Sequence, residues 1–129
     1  MAATIQVAKP GKPLTLEQQR AADAWKCAQG QNGDYANLAK SLPALIMNSG
    51  LLQVMAFLNE KGKKQSHYAE IATQLRRWLH KRFRDMGEDF AGCMNDLINA
   101  DSRKFQAVTA EALAWLRWLR QIAPAVQER

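Results

Sequence analysis

The chain reads as an all-α protein, a single-domain bundle of about six helices, and three observations lead there. Apolar residues recur at three- and four-residue steps through most of its length. No segment alternates apolar and polar residues as a half-buried strand would. Capping residues and Gly or Pro breaks fall at intervals that suit short packed helices. With 129 residues, 47% of them apolar, the chain is long enough to bury one core.

Residues 1–14 form a leader expected to be flexible, with the stiff polar stretch Lys9-Pro10-Gly11-Lys12-Pro13 inside it. The bundle domain is expected over 15–129. Thr15 and Gln18 are spaced as a capping box, so a first helix should run from about Leu16 to Ala28. Gln29-Gly30-Gln31-Asn32-Gly33 ends it. Asp34 is placed to start a second helix carrying Tyr35, Leu38 and Leu42, which Pro43 should bend or restart. Asn48-Ser49-Gly50 breaks it.

Leu51 to Leu58 is ambiguous by pattern alone. Only Val54 is β-branched and Gly62 lies where a helix would close, so helix is the reading. Ser66 to Arg84 should be a long helix with Ile71, Leu75, Trp78, Leu79 and Phe83 inward, broken by Asp85-Met86-Gly87. Asp89 to Ile98 reads as a short helix. Asp101 then caps a final long one, stopped by Pro124.

That last helix is the most informative. At 100° per residue, Phe105, Val108, Ala112, Trp115, Leu116, Leu119 and Ile122 share one broad face. Arg103, Gln106, Arg117, Arg120 and Gln121 lie opposite. Leu113 and Trp118 fall outside the apolar arc, and a tryptophan left wet forgoes roughly 2 kcal/mol of burial. A second contact face, built on Leu113 and Trp118 and covered by another subunit, is the expectation.

The uncharged run Ser41 to Asn59 approaches the length of a membrane span, about 20 residues. Pro43, Asn48, Ser49, Gly50 and Gln53 interrupt it, so two buried helices joined at Gly50 fit better and no membrane partner is expected. Cys27 and Cys93 show no paired spacing, and Met1 to Leu14 holds no apolar run. Two buried, reduced thiols in a cytoplasmic protein follow.

The net charge of +6 is concentrated. Between Glu60 and Arg84 eight Lys or Arg face two Glu, while the rest of the chain balances ten against ten. Gln74, Arg77, Lys81 and Arg84 recur on what should be the exposed side of the fourth helix, with Arg76 and Arg82 beside them. Lys61, Lys63 and Lys64 precede the row; Arg103, Arg117 and Arg120 make a second one, with Lys104 near the edge of that helix's apolar face. Such rows suit phosphates spaced along a nucleic acid; a solvated helix face is the alternative.

Asp85, Glu88, Asp89 and Asp96 suit helix N-termini better than a metal, and neither a metal nor another cofactor is expected. His67 and His80 stand thirteen residues apart and read as structural or exposed. No nucleophile elbow, phosphate loop or acid–base pair is present in the sequence, so catalysis is not expected.

Two stretches carry a resemblance. Leu42-Pro43-Ala44-Leu45-Ile46, then Asn48-Ser49-Gly50-Leu51, Ala56-Phe57-Leu58 and Lys61-Gly62 form one half. The run from Thr109 through Glu111 to Leu119 forms the other, and Arg20-Ala21 also fits. Together, over Leu16 to Ala125, they resemble the small helical subunit of the type III-B CRISPR effector, the Cmr complex. The resemblance implies a non-catalytic subunit whose copies stack into a short filament beside the backbone and large subunits. There they would help enclose guide RNA paired with target RNA, sequence being read by base pairing.

The RNA-facing candidates are then Lys40, Lys61, Lys63, Arg76, Arg77, Lys81, Arg103, Arg117 and Arg120. Two departures stand out: Met47 replaces a basic residue common in that family, and Phe105-Gln106 replaces its Tyr-Arg. Contacts would shift toward Arg76, Arg77 and Arg117. The competing reading is a helical adaptor that binds only protein, its charge serving solubility.

Overall fold

The computed structural model describes residues 13–127. Among them are six helices and no strand: α1 (Leu16–Ala28), α2 (Gly33–Ser49), α3 (Leu51–Gly62), α4 (Ser66–Arg82), α5 (Phe90–Ile98) and α6 (Ser102–Ala125). Most of the expected leader lies outside the described residues; Pro13 and Leu14 precede α1 as irregular chain.

Four of the six helix starts follow side-chain chemistry. At α1 the capping box is complete: Gln18 N–H donates to Thr15 Oγ1 (3.1 Å) and Thr15 N–H to Gln18 Oε1 (2.8 Å). For α2 the cap is Asn32, whose Oδ1 accepts from Tyr35 N–H at 3.0 Å, so the helix opens at Gly33, one residue before the expected start. Asp89 and Asp101 accept from Gly92 N–H (3.2 Å) and Lys104 N–H (2.8 Å) to open α5 and α6.

Three expected boundaries shift. Pro43 neither restarts nor ends α2, which continues to Ser49. Its ring fixes a φ that suits a helix and costs one backbone bond, and Pro43 is buried between Leu42 and Ile46. Phe83 closes α4 in an extended conformation (φ −128°), so Arg84 lies beyond the helix. Pro124 sits in the last turn of α6, which ends one residue later. The uncharged run is divided at Gly50, whose φ of +86° is open to glycine, and among the described residues no helix is long and apolar enough to cross a membrane.

One core runs through all six helices. Its largest fully buried side chains include Trp78, Trp115, Tyr35, Leu42, Leu51, Leu75 and Leu116. The long helix α6 packs against both α1 and α2, while α3 packs against α4 as a hairpin. The hairpin is tight because Gly62 lies on the backbone of Ala69: a Cβ at position 62 would come within 3.0 Å of Ala69 Cα and N.

Gly62→Ala is therefore expected to lose about 1–3 kcal/mol through overpacking against backbone. Gly33→Ala meets nothing nearer than Gln127 Nε2 at 3.8 Å, and should be neutral or gain up to about 1 kcal/mol. Urea unfolding of the two variants beside the parent reads the difference.

Candidate nucleic-acid interface

The polar groups inside the bundle decide which charges are left outside it. Glu111 lies on the buried face of α6 and is 5% exposed. Its carboxylate accepts from Arg20 Nε (2.8 Å) and Nη2 (2.9 Å) on α1 and from Trp78 Nε1 (3.0 Å) on α4. Arg82 Nε lies 3.6 Å from Glu111 Oε1. Burial alone would push this carboxyl up. The hydrogen bonds from Arg20 and Trp78, with the charges of Arg20 and Arg82, outweigh that and hold it below the usual range.

Two more indoles are satisfied in the same manner. Trp115 Nε1 donates to Asp23 at 2.8 Å and Trp118 Nε1 donates to Glu17, both on α1. The charge pairs and indoles thus knit α1, α4 and α6 together. Sequence reasoning missed this role for Glu111. A signal was present: Glu111 lies three residues after Val108 and four before Trp115, within the apolar arc.

Gln74 is a correction. It is 4% exposed, not part of an outward row. Its Oε1 accepts from the Tyr35 hydroxyl, and its Nε2 donates to the Cys27 carbonyl (3.3 Å) and to Glu70 (3.2 Å). A core glutamine fits because tyrosine and a helix-end carbonyl both need partners there. Cys27 and Cys93 are free and buried, as expected. Burial pushes their thiols up to about 12 and about 11, with Asp23 adding to the effect at Cys27.

Leu113 is also corrected. It lies largely buried within the chain, 9% exposed, rather than standing wholly outside the core. The apolar arc of α6 is wide because α1 and α2 both lie on this helix, so residues outside a single-neighbour arc are still covered. Trp118 is half-buried, and its remaining surface lines a shallow groove with Glu17, Ala114, Arg117 and Gln121.

The remaining cations separate into groups. Arg77 and Lys81 stand one turn apart on α4, both exposed. Arg77 Nη2 lies 3.6 Å from Cys27 Sγ at the lip of a polar cavity of about 380 Å³, and Lys81 Nζ sits 5.8 Å from the Trp78 ring centroid. Arg76 turns to the opposite flank, half-buried, its Nε donating to the Glu88 carbonyl at 3.1 Å. Lys61 and Lys64 are exposed at the hairpin turn, and Lys63 pairs with Glu60 at 3.1 Å. Lys40 is exposed on α2, and Arg103, Arg117 and Arg120 on α6.

Among the described residues, Arg77, Lys81, Arg103, Arg117 and Arg120 pair with no carboxylate. Arg82 differs: it is drawn to Glu111. Lys104 is drawn to Asp85. The other acids of that region act locally, Asp89 as a cap and Asp96 by accepting from Gly87 N–H at 2.7 Å. His80 Nδ1 bonds the Met86 carbonyl, which makes it structural, and His67 packs against Tyr68 with the rings tilted at 48°.

Fold and surface together define a small helical module with one buried carboxylate at the junction of its helices and unpaired cations on its outer helix faces. The family model for CRISPR-associated protein (Cas_Cmr5) matches residues 16–126. The chain belongs to the Cmr5 family. It is 31% identical over 104 residues to the CRISPR system Cmr subunit Cmr5 of Thermus thermophilus, covering 80% of this chain and 84% of that protein. It is similar in fold to the X-ray crystal structure of a CRISPR-associated Cmr5 family protein from the same organism. That likeness has a TM-score of 0.68 at 24% identity, over 87% of this chain and 93% of that one.

Removing the central carboxylate tests the junction. Glu111→Ala leaves the Trp78 indole unpartnered and Arg20 with only the exposed Glu17 at 3.5 Å, and is expected to lose about 3–5 kcal/mol. Because the folded Glu111 carboxyl lies below its ordinary value, its contribution is complete above about pH 4.3 and is lost as pH falls through the folded value. Urea unfolding at several pH values should therefore show a steeper acid loss for the parent than for Glu111→Gln.

Proposed function

We propose that this chain is the non-catalytic small subunit of a type III-B CRISPR RNA-guided effector complex in the cytoplasm. Its copies stack into a short filament that lies beside the backbone and large subunits. The filament lines and stabilises the duplex of guide RNA and target RNA. Membership of the Cmr5 family across residues 16–126 carries this reading, and the relative from Thermus thermophilus is itself called a Cmr subunit.

The physical support is the disposition of charge. A subunit that holds a duplex whose sequence is read by base pairing needs phosphate contacts and shape, not base-specific groups. Arg77 and Lys81 on α4 and Arg103, Arg117 and Arg120 on α6 offer such contacts with no acid to satisfy first. Lys40, Lys61, Lys63 and Arg76 extend the surface, the last two less freely because Glu60 and the Glu88 carbonyl already engage them. The exposed part of Trp118, beside Arg117, is the surface assigned to a neighbouring subunit.

Tagged purification from the native host should recover guide RNA together with the other Cmr subunits. A chain that brings down protein partners and no RNA would assign it instead to the adaptor class. In binding assays with RNA duplex, the triple variant Arg76→Glu, Arg77→Glu, Lys81→Glu should fold as the parent does. Its slope of log affinity against log salt should fall by about 2 to 3, since each lost phosphate contact removes close to one unit and Arg76, held by the Glu88 carbonyl, contributes least. An unchanged slope would remove α4 from the RNA surface.

A further inference from the structure

The turn between α3 and α4 holds an arrangement that phosphate binding does not require. Gly62 lets α3 approach the backbone of Ala69 closely, and this sets the first turn of α4 beside the last turns of α3. Phe57 and Tyr68 meet edge to face across the hairpin, ring centroids 5.7 Å apart at 79°. His67 lies against Tyr68 with centroids 4.7 Å apart. Tyr68 is anchored on the core, yet Phe57 remains 37% exposed.

Around these rings stand Lys61, Lys63 and Lys64, with Lys61 and Lys64 exposed at the turn. The turn that carries them is closed by backbone bonds from Lys64 N–H and Gln65 N–H to the Lys61 carbonyl, at 3.2 and 3.0 Å. Lys63 is paired with Glu60. Among the described residues Lys61 and Lys64 have no acidic partner. The hairpin turn therefore offers three ring systems in one cluster, two unpaired ammonium groups and a firmly held backbone.

We propose that this turn is a stacking platform for unpaired RNA nucleotides, with bases on Phe57, Tyr68 and His67 and phosphates on Lys61 and Lys64. The assignment rests on the RNA-effector reading and adds a second mode to it. Paired bases hide their faces inside a duplex, so a ring cluster is useful only to nucleotides outside the pairing. Aromatic groups interleaved with cations are what sequence-tolerant binding of single strands uses. An acidic protein segment would match the lysines but would leave the rings without a partner. The α4 face would thus hold the duplex, and the hairpin turn an unpaired stretch next to it.

The test is photocrosslinking in the assembled effector, with 5-iodouridine placed at unpaired or at duplexed RNA positions. Crosslinks from unpaired positions should map to Phe57, Tyr68 or His67. The double variant Phe57→Leu, Tyr68→Leu retains apolar volume in the hairpin and should reduce them at least about ten-fold, while crosslinks from duplexed positions stay unchanged. RNA crosslinked elsewhere on the chain but never at the hairpin overturns this inference and leaves the subunit reading standing. A chain that crosslinks to no RNA overturns both. A folded double variant that no longer enters the complex assigns the turn to a protein neighbour, and the inference fails.

Discussion

The architecture depends on one buried carboxylate. Glu111 brings two arginines and an indole to a single point, and these come from helices far apart in sequence: Arg20 on α1, Trp78 and Arg82 on α4. A buried charge is tolerable only when it is paired and its lone pairs are used. That condition can be met only if α1, α4 and α6 sit in one mutual register. Apolar packing against α6 would accept several rotations of its neighbours. The Arg20 fork, with both nitrogens within 2.9 Å of the carboxylate oxygens, accepts far fewer. Net stabilisation by such a cluster is modest against an apolar replacement of the same shape; its larger effect is on which arrangement forms.

The other two indoles extend the same logic. Burying Trp115 gains apolar burial but brings an N–H that needs an acceptor, and Asp23 supplies it. Trp118 reaches Glu17, nearer the start of α1. Glu111 is thereby committed to the interior junction, and Asp23 and Glu17 to indole partners nearer and at the surface, while Asp89 and Asp101 are committed to helix starts. The formal charge of the chain hides this division. A few acids serve internal partners and caps, others stay exposed among the cations, and the basic exterior follows chiefly from the excess of Lys and Arg.

Sequence reasoning recovered the six helices because their starts rest on local chemistry. The Thr15–Gln18 box, Asp89, Asp101 and Gly50 act within four residues of themselves, and periodicity supplied the buried faces between them. It missed where the outcome is set at long range. Gln74 looked like one more polar residue on a charged face, and only the arrival of Tyr35 and the Cys27 carbonyl makes position 74 interior. Leu113 falls outside the apolar arc and reads as a second contact face for another subunit, whereas within the chain α6 packs against both α1 and α2 and covers it largely by itself. Pro43 reads as a point of bending or restart because local rules weigh the lost hydrogen bond and not the burial around it, and α2 runs through it to Ser49. The rows of cations were legible, but which of them are free was not: Arg82 and Arg77 are five residues apart, and one is held by Glu111 while the other is left at the surface.

That last contrast bears on how a small subunit divides its cations between fold and surface. Arg82 and Arg77 are the same residue type on one helix, yet Arg82 lies within ion-pair distance of a buried acid and Arg77 has its guanidinium beside a thiol that burial keeps neutral. An anion approaching Arg82 must compete with the Glu111 carboxylate; one approaching Arg77 or Lys81 meets no ion-paired acid, only the weaker contacts to the Cys27 thiol and the Trp78 ring. The same carboxylate that sets the register of the helices therefore also sorts the cations of α4 into those that serve the fold and those available to a partner. A chain of this size has few acids to place, and their positions decide both how it packs and what its surface can hold.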